Sequence, residues 1–153
     1  MSSRIAFAGS PPAAATVLRA LVAAGHDVAV VISQPDRPKG RGGTTVPTAV
    51  SIAASELGLV LRRPASINDP AMLDELDGLR VAAVCVAGFG QILRERLLTT
   101  WPCLNVHFSI LPAYRGAAPV ERALIDGCTE TGVTIMRMDA GLDTGPINAI
   151  GRL

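Results

Sequence analysis

Aromatic residues are scarce in this 153-residue chain: one tryptophan, one tyrosine and three phenylalanines, 3% in all. A densely packed core must therefore be aliphatic, and a hydrophobic fraction of 49% supplies enough material for one domain while excluding intrinsic disorder. Lysine is nearly missing as well, with Lys39 alone against thirteen arginines. Charged residues make up only 18% and the net charge is +1, so no global field draws the chain to nucleic acid or to an anionic membrane, and any nucleic-acid contact must be local. The three cysteines, Cys85, Cys103 and Cys128, stand at spacings that write neither a disulfide framework nor a CxxC metal site. A reducing, cytoplasmic setting is expected, with no metal. No apolar run reaches the ~18 residues of a membrane span, and Gly9-Ser10-Pro11-Pro12 interrupts the N-terminal apolar run before a secretory signal can form. No membrane partner is expected.

What the chain does contain is a repeated alternation of short β-branched runs with alanine- and leucine-rich stretches of helical period. The spacing predicts strands over 4–7, 27–33, 59–61, 81–87, 103–106, 132–138 and 147–150. Helices are predicted from 11 to about 24, over 47–57, after Asn68-Asp69-Pro70, over 91–98 and over 117–126, with Ser10 as the first N-cap and Gly25 as the first stop. The near-continuous apolar run 27–33 reads as a strand buried on both faces, central in its sheet. Residues 34–46, rich in proline, glycine and basic side chains, read as one long exposed loop. Alternation of this kind gives an α/β protein: an open, mostly parallel, twisted sheet with helices on both faces.

Three features carry chemistry. Asn105 and His107 stand two apart on a predicted strand, so they project from one face and aim an amide and an imidazole at one point. Asp143 lies in the Gly-rich turn Gly141-Leu142-Asp143-Thr144-Gly145, where a carboxylate could fix the tautomer of His107 and stabilise its imidazolium. Turn aspartates also cap their own backbone, so a purely local role for Asp143 stays open. The loop after His107, dense in glycine, proline and small residues, suits a pocket wall. Gly88-Phe89-Gly90 is too short for a dinucleotide fingerprint, and Gly9 lacks the partner glycines, which leaves nicotinamide binding weakly supported. His26 follows a helix-ending glycine and is expected at the surface, and the cysteines are expected to be small core fillers.

The run from Asn105 to Pro119, NVHFSILPAYRGAAP, resembles a signature of the folate-dependent formyltransferases, and GVTIMRMDAGLDTGPI from Gly132 to Ile147 resembles their second, whose aspartate falls at Asp143. The opening IAFAGSP and the loop QPDRPKGRG from Gln34 to Gly42 are similar to the methionyl-tRNA formyltransferase branch, and the resemblance spans the whole chain. Phe108 departs from the pattern, since glycine is common there, and its ring is expected to narrow the pocket. The resemblance implies a Rossmann-like fold and transfer of a formyl group from 10-formyltetrahydrofolate, as co-substrate, to the α-amine of initiator methionyl-tRNA. Asn105, His107 and Asp143 take the catalytic positions. Folate would be bound by Phe89, Gly90, Ile92, Ser109, Ile110, Leu111 and Pro112, and tRNA phosphates by a loop carrying Arg37, Lys39 and Arg41.

Members of this branch continue into further helices, a linker and a tRNA-binding barrel. Residues 1–153 are therefore expected to be the catalytic domain alone, C-terminally truncated and monomeric, with Ile147 and Ile150 left exposed. Two alternatives stay open: a folate-dependent formyltransferase for a small phosphorylated or nucleotide-sugar amine, and an inactive folate-binding fragment.

Overall fold

The computed structural model describes residues 2–39 and 42–153, so Arg41 lies outside the described residues. Along the chain run β1 (Arg4–Gly9), α1 (Pro12–Ala23), β2 (Asp27–Ile32), β3 (Arg37–Lys39), β4 (Thr44–Val46), α2 (Ala49–Glu56) and β5 (Leu61–Arg62). There follow α3 (Pro70–Leu79), β6 (Ala83–Ala87), α4 (Glu95–Thr100), β7 (Cys103–His107), α5 (Pro119–Ile125), β8 (Gly132–Arg137) and β9 (Ile147–Arg152).

Seven strands form one sheet in the order β5-β2-β1-β6-β7-β8-β9. The first five run parallel, and β8 and β9 each pair antiparallel with the strand before them. The chain builds outward from β1 through β2 to β5, then returns along α3 to place β6 on the other edge of β1. That reversal opens a crevice beyond the carboxyl ends of β1 and β6, where Gly9 pairs with Ala87. Strand alternation sends Ala6, Ala8, Val84, Val86 and Cys103 into a core with Leu73 and Leu76 of α3 and Leu97 of α4. Ile5 and Phe7, with Val28 and Val31 from either side of a register shift in β2, enter a second core with Leu18 of α1 and Ala53 of α2. Helices thus cover both faces.

Several sequence expectations are corrected. The apolar strand β2 is second from the edge rather than central, with only the two-residue β5 outside it; β6 occupies the middle. Residues 37–46 are not merely a loop, since β3 and β4 pair as an antiparallel hairpin, Arg37 opposite Val46. Ser10 does not cap α1: its N-cap is Pro11, and the Ser10 hydroxyl accepts instead from the Gln34 backbone N–H at 3.2 Å. The helix expected over 91–98 begins only at Glu95. Gly88 and Gly90 hold left-handed φ values of 52° and 81°, which break the chain into a loop. Asn68 then staples that loop, its Nδ2 donating to the Ile92 carbonyl at 2.8 Å and its Oδ1 accepting from the Arg94 N–H at 2.7 Å.

Cys103 is buried, Cys85 half-buried and Cys128 exposed, so only the first is a core filler in the expected sense. His26 is half-buried rather than free on the surface, and its Nδ1 has no hydrogen-bond partner among the described residues. It lines an apolar groove of about 490 Å³ where Ala83, Cys85, Leu104, Val106 and Ile135 meet α1. Ile147 and Ile150 are exposed, as expected. Among the described residues no helix is long and apolar enough to cross a membrane.

Candidate active site

Asn105 and His107 are held in register on β7, Asn105 between Val86 of β6 and Met136 of β8, and His107 opposite Thr134. Both project from the face that carries α4. The turn 139–146 leaves β8, folds back over that face and brings Asp143 to both side chains. Asn105 Nδ2 donates to Asp143 Oδ1 at 3.5 Å, and His107 Nδ1 lies 3.5 Å from Asp143 Oδ2. The Gly116 N–H donates to the same Oδ2 at 2.7 Å. With the His107 side chain 6% exposed and that of Asp143 12%, these contacts are shielded from water, which strengthens each of them.

Asp143 reaches this position through a left-handed backbone, φ 52°, inside a turn tied by Asp139, whose Oδ1 accepts from the Gly141 N–H at 2.9 Å and the Thr144 hydroxyl at 2.8 Å. Gly145 closes the turn against β8: a Cβ there would overlap the Arg137 carbonyl oxygen. On the far side of His107, Nε2 lies 2.9 Å from the Tyr114 carbonyl oxygen. A carbonyl can only accept, so Nε2 carries the hydrogen and Nδ1 is the ring nitrogen left for Asp143 and a reactant.

Asn105, His107 and Asp143 line one cleft of about 320 Å³ with Phe89, Gly90, Gln91 and Phe108, so the aromatic side chain at 108 does take space in it. An adjoining cavity of about 280 Å³ lies between Gln91, Ile92, Met136 and the turn 139–143. Ile92, one of the residues expected to bind folate, lines this cavity and is 83% exposed. Ser109, Ile110, Leu111 and Pro112 do not line the cleft. Ser109 is fully buried and donates to the Ala113 carbonyl at 2.6 Å, while Leu111 and Pro112 line a separate cavity on the Leu111-Asp143-Ile147 side. The local reason is Thr134, whose hydroxyl donates to the Ser109 carbonyl and accepts from the Leu111 N–H, drawing the loop onto β8.

Arg37 is brought to an open cleft of about 680 Å³ lined by Ser10, Pro47, Ile52 and the Gly88-Phe89-Gly90 turn. Lys39 lies on the same hairpin, and Arg41 is outside the described residues. The turn 88–90 is a wall shared by both clefts. Two glutamines that composition did not single out hold it: Gln34 Nε2 donates to the Phe89 carbonyl at 3.1 Å, and Gln91 Nε2 to Gln34 Oε1 at 3.3 Å. Neither has a periodic signal, because their partners are distant in sequence: the Phe89 carbonyl lies 55 residues from Gln34, and Gln91 Oε1 accepts at 2.7 Å from the Ile67 N–H, 24 residues away.

An open α/β sheet with a shielded amide, imidazole and carboxylate gathered beside its switch-point crevice is the architecture of a ligand-binding α/β domain. The chain belongs to the formyl transferase family, whose sequence pattern matches residues 3–151. It is 49% identical over 146 residues to the methionyl-tRNA formyltransferase of Nitrosospira multiformis, covering 94% of this chain and 47% of that protein. Against the methionyl-tRNA formyltransferase of Heliobacterium modesticaldum the identity is 50% over 144 residues, covering 93% and 45%. The chain thus spans about half the length of the curated relatives it matches. Among solved structures, glycinamide ribonucleotide transformylase 1 from Geobacillus kaustophilus superposes with a TM-score of 0.78 at 25% identity, covering 100% of this chain and 83% of that one. The corresponding enzyme from Symbiobacterium toebii gives 0.75 at 27%, with 99% and 73% covered. The predicted open α/β fold with a mostly parallel sheet is the fold observed.

Proposed function

We propose that the full protein transfers the formyl group of 10-formyltetrahydrofolate to the α-amine of initiator methionyl-tRNA. The carrying observation is the convergence of Asn105, His107 and Asp143 on one shielded cleft, in a chain about half identical in sequence to methionyl-tRNA formyltransferases across nearly its whole length. The amine attacks the formyl carbon and the carbonyl π pair moves to oxygen, giving a tetrahedral oxyanion. Asn105 has two amide protons; one is directed to Asp143 and the other is free to stabilise that oxyanion. His107 Nδ1, left without a hydrogen by the Nε2 bond, takes up the proton lost by the attacking amine, and Asp143 stabilises the imidazolium so formed. The carbonyl re-forms as the bond to folate N10 breaks, and N10 takes that proton from the His107 imidazolium and leaves as tetrahydrofolate. None of these steps requires a metal.

Folate is assigned to the joined spaces around Phe89, Gly90 and Ile92. Leu111 and Pro112 border them only from the other side of Asp143, and Ser109 and Ile110 act through the loop they shape. The acceptor end is assigned to the region of the β3–β4 hairpin, where the basic residues Arg37, Lys39 and Arg41 of the sequence would serve its phosphates. We read the protein as a cytoplasmic monomer, to be checked by sedimentation. Full-length protein incubated with labelled 10-formyltetrahydrofolate and either charged initiator tRNA or a panel of phosphorylated and nucleotide-sugar amines tests the reading. Label on methionyl-tRNA is the expected result. Label only on a small amine assigns a different acceptor, and folate binding without turnover makes the protein a binding module.

A further inference from the structure

Tyr114 enters the site through its backbone, and its side chain joins a second cluster. The phenol oxygen lies 2.9 Å from Asp126 Oδ2 and 3.0 Å from Cys128 Sγ. A carboxylate only accepts, so the phenol gives its single proton to Asp126 and the Cys128 thiol donates to the phenol oxygen. Those two bonds, the Cys128 contact first, push the phenol pKa up and keep it protonated. The Arg122 guanidinium of α5 sits over the ring, 5.4 Å from its centroid, and Arg122 Nη1 donates to the Arg115 carbonyl at 2.9 Å. Residue 114 is therefore gripped at its tip, on its ring face and through the next peptide. The grip matches a need: Tyr114 has φ 55°, a left-handed conformation that L side chains resist. Backbone strain of this sort persists where surrounding contacts over-determine it, and here it aims the carbonyl at His107 Nε2.

We propose that Tyr114 is a positioning residue for His107: its phenol, held by Asp126 and Cys128, fixes the left-handed backbone that keeps the Tyr114 carbonyl on Nε2 and so leaves Nδ1 to Asp143 and the reactants. The inference rests on the reading of His107 as a reacting group. In the full-length enzyme, Tyr114→Phe keeps the ring under Arg122 and deletes both bonds at its tip. Asp126→Ala deletes the acceptor without altering residue 114, at an exposed position, and Asp126→Asn retains an acceptor oxygen. Ring ¹⁵N spectra, with His107 assigned by its loss in His107→Asn, read the tautomer directly.

The wild type and Asp126→Asn should carry the hydrogen on Nε2. Tyr114→Phe and Asp126→Ala should show mixed tautomers and lose about tenfold in kcat, less than the ~100-fold cost of a full misplacement, with KM for 10-formyltetrahydrofolate unchanged. An unchanged tautomer in both variants overturns the proposal, as does a changed tautomer with wild-type turnover. If His107→Asn itself turns over normally, the reading of His107 as a reacting group fails, a result distinct from either outcome in the ¹⁵N spectra.

Discussion

Asn105 and Asp143 share a hydrogen bond and a cleft, and that closeness sets what their loss should do. Asn105→Ala removes one oxyanion donor and should lower kcat by about 10²–10³ with folate affinity little changed. Asp143→Asn keeps the shape but puts an amide where the imidazolium needs a charge, and turnover should fall sharply. Because the two act on the same developing charge, the double variant should lose less than the sum of the single losses. Melting temperature and turnover measured on the same samples decide between roles. An activity loss that tracks the unfolded fraction returns these residues to the core.

At the scale of the element, the turn 139–146 is the part most sensitive to one atom. Gly145→Ala would press a Cβ onto the Arg137 carbonyl, a strand backbone atom that cannot step aside, and should cost about 1–3 kcal/mol in denaturant unfolding. Turnover should drop further than that instability explains, because the turn carries Asp143. Gly78→Ala is the contrast: the position lies in α3, its Cβ would meet nothing within 4 Å, and a gain of up to about 1 kcal/mol is expected from helix propensity. The β3–β4 hairpin makes a different prediction. If it holds tRNA phosphates, Arg37→Ala and Arg41→Ala should each weaken use of charged tRNA and flatten its salt dependence, while folate binding stays unchanged. Unaltered kinetics across a salt series would make the hairpin a solvated surface.

At the scale of the whole molecule, the thiols report how the fold opens. Cys128 is exposed and should be alkylated quickly, Cys85 more slowly, and Cys103 only through unfolding of the core it sits in, as peptide mass spectrometry of a labelling time course can show. Burial pushes the Cys103 thiol up from its ordinary 9.0 to about 12, against a smaller opposing pull from Arg137. Above pH 9 the unfolded chain releases this proton while the folded chain keeps it. Stability should therefore fall as pH rises through that window, by about 1.4 kcal/mol per unit for this group. Cys103→Ala should flatten the slope in denaturant titrations carried out between pH 9 and 11.

The alternation of β-branched and alanine-rich runs determined the α/β class and the strand sequence, because that period is a local property of the chain. It also placed Asn105 and His107 on one face, since residues two apart on a strand can do nothing else. Helix ends were less legible: α4 starts late because Gly88 and Gly90 take left-handed conformations and Asn68 staples the loop from 24 and 26 residues away. Only the tertiary structure decided that Ser10 serves Gln34 rather than α1, and that Thr134 ties the backbone at Ser109 and Leu111 onto β8. It alone set the His107 tautomer, through the Tyr114 carbonyl. In each of these cases the deciding partner is a backbone group or a hydroxyl set by the path of another segment, and such a partner leaves no period, spacing or composition to read.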